Sequence, residues 1–157
     1  MDFAEARIGK SAFARLSENE DLLETVTQVA RKTRIHSGFF ILIGTLKSAR
    51  LGFFKECRYE TVELQQPLEI VSCVGNVSIK EGEGFAHAHA TVSDEKGKAF
   101  GGHVMPGCLI GVTGELVLIE TPGIKLFRKF DEKTKLSLLS FKSSGGAEKK
   151  RSPERAV

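Results

Sequence analysis

Cysteine is scarce in this chain, and nothing in its spacing gives it a structural role. The 157 residues contain only Cys57, Cys73 and Cys108, an odd number that includes no CxxC pair. Neither a disulfide framework nor a zinc site built on cysteines is therefore expected. We expect three reduced thiols, because free cysteine behaves as a small and mostly buried residue.

Long apolar runs are also missing. The longest, FFILI at residues 39–43, is far shorter than the roughly 20 apolar residues that cross a bilayer. The first ten residues, MDFAEARIGK, include Asp2 and Glu5 and lack the apolar stretch of a signal peptide. The sequence therefore predicts no membrane association and a cytoplasmic location.

What remains is the composition of an ordinary folded domain. Hydrophobic residues make up 41% of the chain and charged residues 27%, which argues against disorder throughout, collagen or coiled coil. A chain of 157 residues is long enough for one hydrophobic core and too short for two. We therefore expect a single domain.

Net positive charge is absent from the body of the chain. The last 16 residues, 142–157, hold five bases and two acids and so account for the whole net charge of +3. A neutral body is poor evidence for a broad phosphate-binding face. The sequence thus predicts a folded domain over residues 1–141 and a basic, disordered tail over 142–157, with weak DNA binding as a possible property of the tail.

One helix is predicted near the start of the chain. The segment Ser17-Glu18-Asn19-Glu20 has the pattern of a capping box, and apolar residues follow at helical spacing. The helix is expected over residues 18–34. Arg31, Lys32 and Arg34 would then lie at its C-terminal end, where positive charge suits the helix dipole.

The rest of the body has the short, turn-bounded apolar segments of an antiparallel sheet. Gly75-Asn76 is a possible bulge within one of them. One helix with many strands predicts an α+β fold. The predicted strands are residues 7–16, 39–46, 50–54, 59–64, 68–79, 85–93, 98–104, 108–120 and 124–130.

Three of the four histidines fall within 17 residues, in the segment GFAHAHATVSDEKGKAFGGH. His87 and His89 are two residues apart and would share one face of a strand. A three-residue hairpin loop at 95–97, with Gly97 in the left-handed conformation, would place His103 opposite His89. A bulge at Gly101-Gly102 would change this register.

Three neutral imidazoles around one point form a site for Zn²⁺ or another divalent transition metal. His87, His89 and His103 are therefore the predicted ligands, and a fourth coordination position would stay open for water or a small-molecule ligand. Because the imidazoles must be neutral to bind, the metal is expected to leave as the pH falls through about 6. His36, the remaining histidine, is expected to cap the helix or to be solvated.

The pattern GxxHxHATVSDxxGxxxGGHxxxGCxxGxTGE, preceded by PLEIVSCVGNVS, resembles the plant and prokaryote conserved (PPC) domain. The resemblance implies a homotrimer with an α+β fold similar to that of acetolactate decarboxylase. It also implies metal binding by His87, His89 and His103, as in prokaryotic members. Plant relatives carry AT-hook DNA-binding segments, whose Arg-Gly-Arg-Pro core this chain lacks.

The residues leave three functions open. The first is a regulatory or DNA-associated protein with a sensing or structural metal. The second is a zinc-dependent lyase acting on a small oxo-acid, with Glu115 or Glu69 as acid or base. The third is a trimer whose metal is purely architectural. No helix-turn-helix pattern, P-loop, dinucleotide motif or nucleophile elbow is present.

Overall fold

The computed structural model describes residues 2–143, which form one sheet and one short helix in a single domain. The predicted tail, apart from its first two residues, lies outside the described residues. The elements in chain order are β1 (Ser11–Ser17), α1 (Leu22–Thr33), β2 (Gly38–Lys55), β3 (Arg58–Leu64), β4 (Leu68–Lys80), β5 (Glu83–Ser93), β6 (Ala99–Val104), β7 (Leu109–Glu120), β8 (Ile124–Asp131) and β9 (Leu136–Ser143).

The sheet follows the order β1-β7-β2-β6-β5-β4-β8-β9, with β3 paired to β2 outside this path. All pairs are antiparallel except β4 with β8, which meet in parallel at Ile79 and Phe127. Strand β2 is 18 residues long and lies at the centre, pairing with β7 and β4 along its first part and with β6 and β3 along its second. The largely antiparallel sheet predicted from the sequence is confirmed.

Strand β2 is continuous where the sequence predicted two strands, at residues 39–46 and 50–54. Gly44 lies in the left-handed region, with φ of +134°, and the pairing shifts register beside it. A Cβ at this glycine would lie 2.2 Å from the Thr113 carbonyl oxygen. The irregularity therefore bends β2 without ending it, because neighbouring strands hold it on both sides.

The helix begins later than predicted. Asp21, not Ser17, is the N-cap, and its Oδ1 accepts hydrogen bonds from the amides of Leu23 and Glu24 at 3.0 and 3.1 Å. The Glu20 side chain does accept from the Ser17 amide at 2.7 Å, as in a capping box. That hydrogen bond closes a turn before the helix and does not cap the helix itself, because Asn19 has a positive φ of 71°.

Helix α1 packs on β5 through small residues. Leu22, Val26 and Ala30 are its buried side chains, and the inner face of β5 presents three alanines to the core. Such a face lets a helix approach closely. The three are Ala86, Ala88 and Ala90, all nearly inaccessible to solvent.

Two further predictions about the sheet are corrected. Gly75 and Asn76 pair regularly with β5, and the bulge in β4 lies instead between Ile70 and Ser72. The backbone of β5 approaches Gly75 closely, since a Cβ at position 75 would lie 2.3 Å from the His87 carbonyl oxygen. Strand β9 was not predicted, and it extends the fold to Ser143.

Helix α1 has 12 residues, and no helix among residues 2–143 is long and apolar enough to span a membrane.

Candidate metal centre

The β5–β6 hairpin has the loop that the sequence predicted. Asp94 donates its amide to the Lys98 carbonyl at 3.1 Å, and Gly97 donates to the Asp94 carbonyl at 2.9 Å. Gly97 is left-handed, with φ of +76°. The Asp94 carboxylate also accepts from the amides of Lys96 and Lys98 at 2.9 Å. This loop fixes the register of the two strands that it joins.

The register brings the three predicted histidines together. His89 lies opposite His103, and pairing is regular through Gly101 and Gly102, so the possible bulge there does not occur. The ring of His87 lies 5.2 Å from that of His89 and 4.9 Å from that of His103, and the other two rings are 5.4 Å apart. One ligand nitrogen from each lies within 4.8 Å of the others.

The donor set fits a divalent transition metal. Two nitrogens bound to one tetrahedral zinc lie about 3.4 Å apart, given Zn–N bonds of about 2.1 Å. Small rotations of exposed or half-buried rings close the difference from 4.8 Å. His103 Nδ1 is buried and has no hydrogen-bond partner among residues 2–143. A buried polar atom without a partner is unfavourable, and a bound metal ion would supply one.

An aromatic side chain covers one side of the site. The Tyr59 ring stacks on the His103 ring, with centroids 4.8 Å apart and planes 22° apart, and Phe54 packs edge-on against Tyr59. Gly52 lies opposite His103, and a Cβ there would come within 2.8 Å of Tyr59 Cδ1. The absence of a side chain at position 52 therefore leaves room for this stack.

A cation lies on the other side. Arg128 of β8 donates from Nη2 to the Asn76 side-chain oxygen and from Nε to Ser78 Oγ at 3.2 Å. Asn76 is directly opposite His87 in the β4–β5 pair. Neither Tyr59 nor Arg128 was predicted from the sequence. Tyr59 is the only tyrosine in the chain, which is a weak signal, and Arg128 lies 25 residues after His103 with no local pattern to mark it.

The surroundings keep the imidazoles neutral. Burial lowers the pKa of His87 to about 4, and the charge of Arg128 and the neighbouring histidines act in the same direction. Burial also lowers the pKa of His103, again with contributions from His89 and Arg128. The neutral form is the one that binds a metal.

This shift changes the pH dependence expected from the sequence. The folded-state pKa of His87 lies below the value of about 6.5 in an unfolded chain, so acid protonates the unfolded chain first. The metal-free protein should lose stability as the pH falls from about 6.5 towards 4. Protons at His87 should likewise compete with zinc only near the lower end of that window. The zinc content after gel filtration at successively lower pH measures this competition between protons and zinc. Full release of zinc by about pH 6 would contradict the prediction.

The acids considered for catalysis lie away from the triad. Glu115 is exposed on β7, opposite Arg15 of β1. Glu69 is exposed opposite Ser93, four residues along β5 from His89, or roughly 13 Å at about 3.3 Å per residue. Among residues 2–143, no Asp, Glu or Cys joins the three histidines within the cluster. His36 is exposed, as predicted.

The cysteines are also separate from the site. Cys73 and Cys108 are buried, Cys57 is exposed at the turn between β2 and β3, and all three are free thiols, as expected.

Comparison with protein families matches residues 3–122 to the Plants and Prokaryotes Conserved (PCC) domain. Among curated proteins, the chain is 33% identical over 121 residues to the bifunctional protein GlmU of Synechococcus sp. (strain JA-2-3B'a(2-13)). That alignment covers 76% of this chain and 18% of the relative. The chain thus spans about a fifth of the length of the curated relatives it matches.

Solved structures share the fold over nearly their full length. A metal-containing protein from Archaeoglobus fulgidus superposes with a TM-score of 0.81 at 31% identity, covering 88% of this chain and 98% of that one. A plant- and prokaryote-conserved (PPC) protein from Pyrococcus horikoshii gives 0.81 at 34%, with coverage of 89% and 97%. A protein from Ralstonia eutropha JMP134, described as a candidate for DNA binding, gives 0.71 at 26%, with coverage of 82% and 89%.

Proposed function

The chain belongs to the Plants and Prokaryotes Conserved domain family, and from this premise we propose that it is a homotrimeric zinc-binding protein with a DNA-associated or regulatory role. The observation that carries the proposal is the convergence of His87, His89 and His103 from one hairpin, with a ligand nitrogen of each within 4.8 Å of the others. The metal-containing relative from Archaeoglobus fulgidus supports it.

Zinc is proposed because the donor set consists of neutral imidazole nitrogens. Three such donors suit a tetrahedral ion and leave one position open for a ligand. Soft ions such as Cu(I) prefer thiolates, and hard ions such as Mg²⁺ and Ca²⁺ prefer carboxylates. Neither donor type occurs in the cluster among the described residues. When bound, the metal would act as a Lewis acid towards whatever ligand enters the open position.

A binding or sensing role accounts for the site better than a lyase does. Lyase chemistry on an oxo-acid needs a proton donor or acceptor within hydrogen-bond reach of the substrate. Glu69 and Glu115, the residues considered for this task, are exposed elsewhere on the sheet. Tyr59 is the one side chain with an ionisable hydroxyl that packs on the triad, and it stacks face-on against His103.

The direct test is the metal content of the protein purified without chelator or metal-affinity resin. We expect one zinc per chain by elemental analysis, or one equivalent taken up after incubation with a mixture of divalent metals. Protein that stays free of metal under both conditions contradicts the proposal.

The trimer is proposed from a row of exposed or partly exposed apolar side chains that crosses the sheet. Phe13 of β1 lies opposite Val117 of β7. On its other side, Val117 lies opposite Ile41 of β2, and Ile41 in turn lies opposite Val74 of β4. The row continues to His89. Phe13, Ile41 and Val74 are 78%, 46% and 52% exposed in the single chain. A continuous apolar row of this kind is typical of a surface that is covered in an assembly.

Replacement of Ile41 by lysine should weaken the trimer, because it would place a charge in the apolar row. Phe53→Lys is the matched control, since Phe53 is 70% exposed but belongs to the β2–β3 hairpin outside the row. Light scattering at micromolar concentration should give a trimer for the unmodified chain and Phe53→Lys, and smaller species for Ile41→Lys. A monomeric unmodified chain rejects the trimer.

The DNA-associated role has narrower support. It comes from the Ralstonia eutropha relative and from the bases between residues 142 and 157. The neutral remainder of the chain offers no excess of positive charge to DNA. Any DNA contact is therefore proposed to run through the C-terminal bases.

A further inference from the structure

Arg128 is a half-buried cation with no carboxylate partner in the part of the chain that the structure describes. Its guanidinium bonds to the side chains of Asn76 and Ser78, both uncharged, and stacks at 5.3 Å over the Phe85 ring. No Asp or Glu among residues 2–143 forms an ion pair with it, although three other pairs occur on the surface. Arg128 is only partly exposed, and this burial lowers its pKa.

The sheet places this cation beside the triad. Asn76 lies opposite His87, and Ser78 lies opposite Phe85. All four share one face of the β4–β5 pair, because alternate residues of a strand point the same way. Strand β8 pairs with β4 at Phe127 and Ile79, and its Leu126 amide donates to Ser37 Oγ at 2.9 Å. The guanidinium therefore lies next to the edge of the site that His87 forms.

The charges of this site are unbalanced. A divalent ion on three neutral imidazoles keeps its full charge, and the guanidinium adds to it. Among the described residues, no carboxylate contacts either group. Positive charges held together away from water repel unless an anion lies between them. An anion between the two charges would offset this repulsion, and no described carboxylate supplies one.

We propose that the ligand of this site is a small oxyanion, a carboxylate or a phosphate, that bridges the metal and Arg128. One oxygen would occupy the open coordination position, and another would accept hydrogen bonds from the guanidinium. This inference rests on the proposed metal site and names the class of ligand that the site selects.

The remaining donors of Arg128 suit this task. A guanidinium has five N–H groups, of which the bonds to Asn76 and Ser78 use two. The others lie in the same plane, and a planar set of donors matches the oxygens of carboxylate and phosphate. Because its first two bonds and the Phe85 stack already fix the side chain, little rotamer freedom is lost when an anion binds.

The contact belongs to the C-terminal hairpin of this chain. Strand β8 begins at Ile124, and the family match ends at residue 122. The histidines lie within the matched region, whereas Arg128 lies beyond it. The proposed anion contact thus comes from a strand beyond the residues that the family match covers.

Calorimetry on the zinc-loaded full chain tests the proposal with three probes: glycolate, inorganic phosphate and the neutral ligand imidazole. Arg128→Gln removes the charge but keeps a hydrogen-bonding side chain. Lys129→Gln removes an equal charge from the next residue of β8, which is exposed and points to the opposite side. We expect Arg128→Gln to weaken binding of the preferred anion about tenfold or more, the usual effect of losing a hydrogen bond to a charged group.

Lys129→Gln should bind all three probes as the unmodified chain does, and Arg128→Gln should keep its zinc and its affinity for imidazole. The anion that binds more tightly shows whether the site selects a carboxylate or a phosphate. Equal anion affinity in Arg128→Gln and the unmodified chain, or no anion binding to the zinc-loaded chain, overturns the inference and leaves the metal site standing. An unmodified chain that binds no zinc overturns both. If the Arg128→Gln variant loses its zinc, the Arg128→Lys variant provides the test. An Arg128→Lys variant that retains zinc and recovers the anion affinity supports the bridge, and any other result rejects it.

Discussion

Replacement of His89 by alanine should abolish stoichiometric zinc binding and leave the fold intact. Loss of a residue that only supports a metal ligand typically lowers affinity by about 10- to 100-fold, and loss of a ligand itself should exceed that. Two nitrogens would remain, which is fewer than the three protein ligands of known catalytic zinc sites. His89 is exposed, so its truncation creates no core cavity, and we expect the free energy of unfolding without metal to change by about 0.5 kcal/mol or less.

His36→Ala is the matched control for this measurement. His36 is also exposed, but it lies in the connection between α1 and β2 and outside the triad. Elemental analysis after gel filtration should give one zinc per chain for His36→Ala and a small fraction of that for His89→Ala. Full zinc in His89→Ala, with an unchanged circular dichroism spectrum, would show that the three histidines do not bind the metal.

The hairpin that carries the histidines could be predicted because its determinants are local. Asp94 and Gly97 fix the turn by their own bonds and backbone conformation, and the period of two along a strand then sets which side chains face each other. His89 and His103 therefore meet in the structure as the sequence predicted. The small inner face of β5 follows from the same alternation.

The residues around the triad could not be predicted, because distant pairings bring them there. Tyr59 reaches His103 only because the second half of β2 pairs with both β3 and β6. Arg128 reaches the site through the parallel contact of β8 with β4. Local periodicity contains no information about which strands become neighbours over such separations.

Competition between local signals explains the misplaced helix start. Both Ser17 and Asp21 are favourable N-cap residues, and each begins a plausible capping pattern. The structure selects Asp21 because β1 continues through Ser17, which pairs with Thr113 of β7. Asp21 is also held by a second contact, since its Oδ2 accepts from the Gly107 amide at 2.7 Å. Tertiary pairing thus decides between two caps of similar intrinsic strength.

Removal of the residues after Ser143 should abolish any DNA binding while leaving the domain and its zinc unchanged. Strand β9 ends at Ser143, so this truncation keeps every described strand. The removed residues carry Lys149, Lys150, Arg151 and Arg155, whereas residues 1–141 hold equal numbers of acids and bases. Only the removed segment and Lys142 therefore offer an excess of positive charge to phosphates.

The salt dependence of DNA binding by the full chain should show that the same basic residues make the contacts. Together with Lys142, the basic residues could neutralise at most about five phosphates, and each contributes about −0.9 to the slope of log affinity against log salt. Between about 50 and 200 mM salt the affinity of one chain should then fall roughly 500-fold. A trimer could bind more tightly if its C-terminal segments reach one duplex together, but the steep salt dependence would remain.

Fluorescence anisotropy with duplexes of unrelated sequence measures both effects. A full-length variant with glutamine at the four basic positions between 149 and 155 separates loss of charge from loss of chain length, and it should behave as the truncated protein does. Sequence-specific recognition needs side chains that reach base edges from an element inside a groove. Truncated protein that still binds one defined sequence at about 150 mM salt would place the contact on the neutral sheet domain. The regulatory role would then belong to the domain that holds the metal.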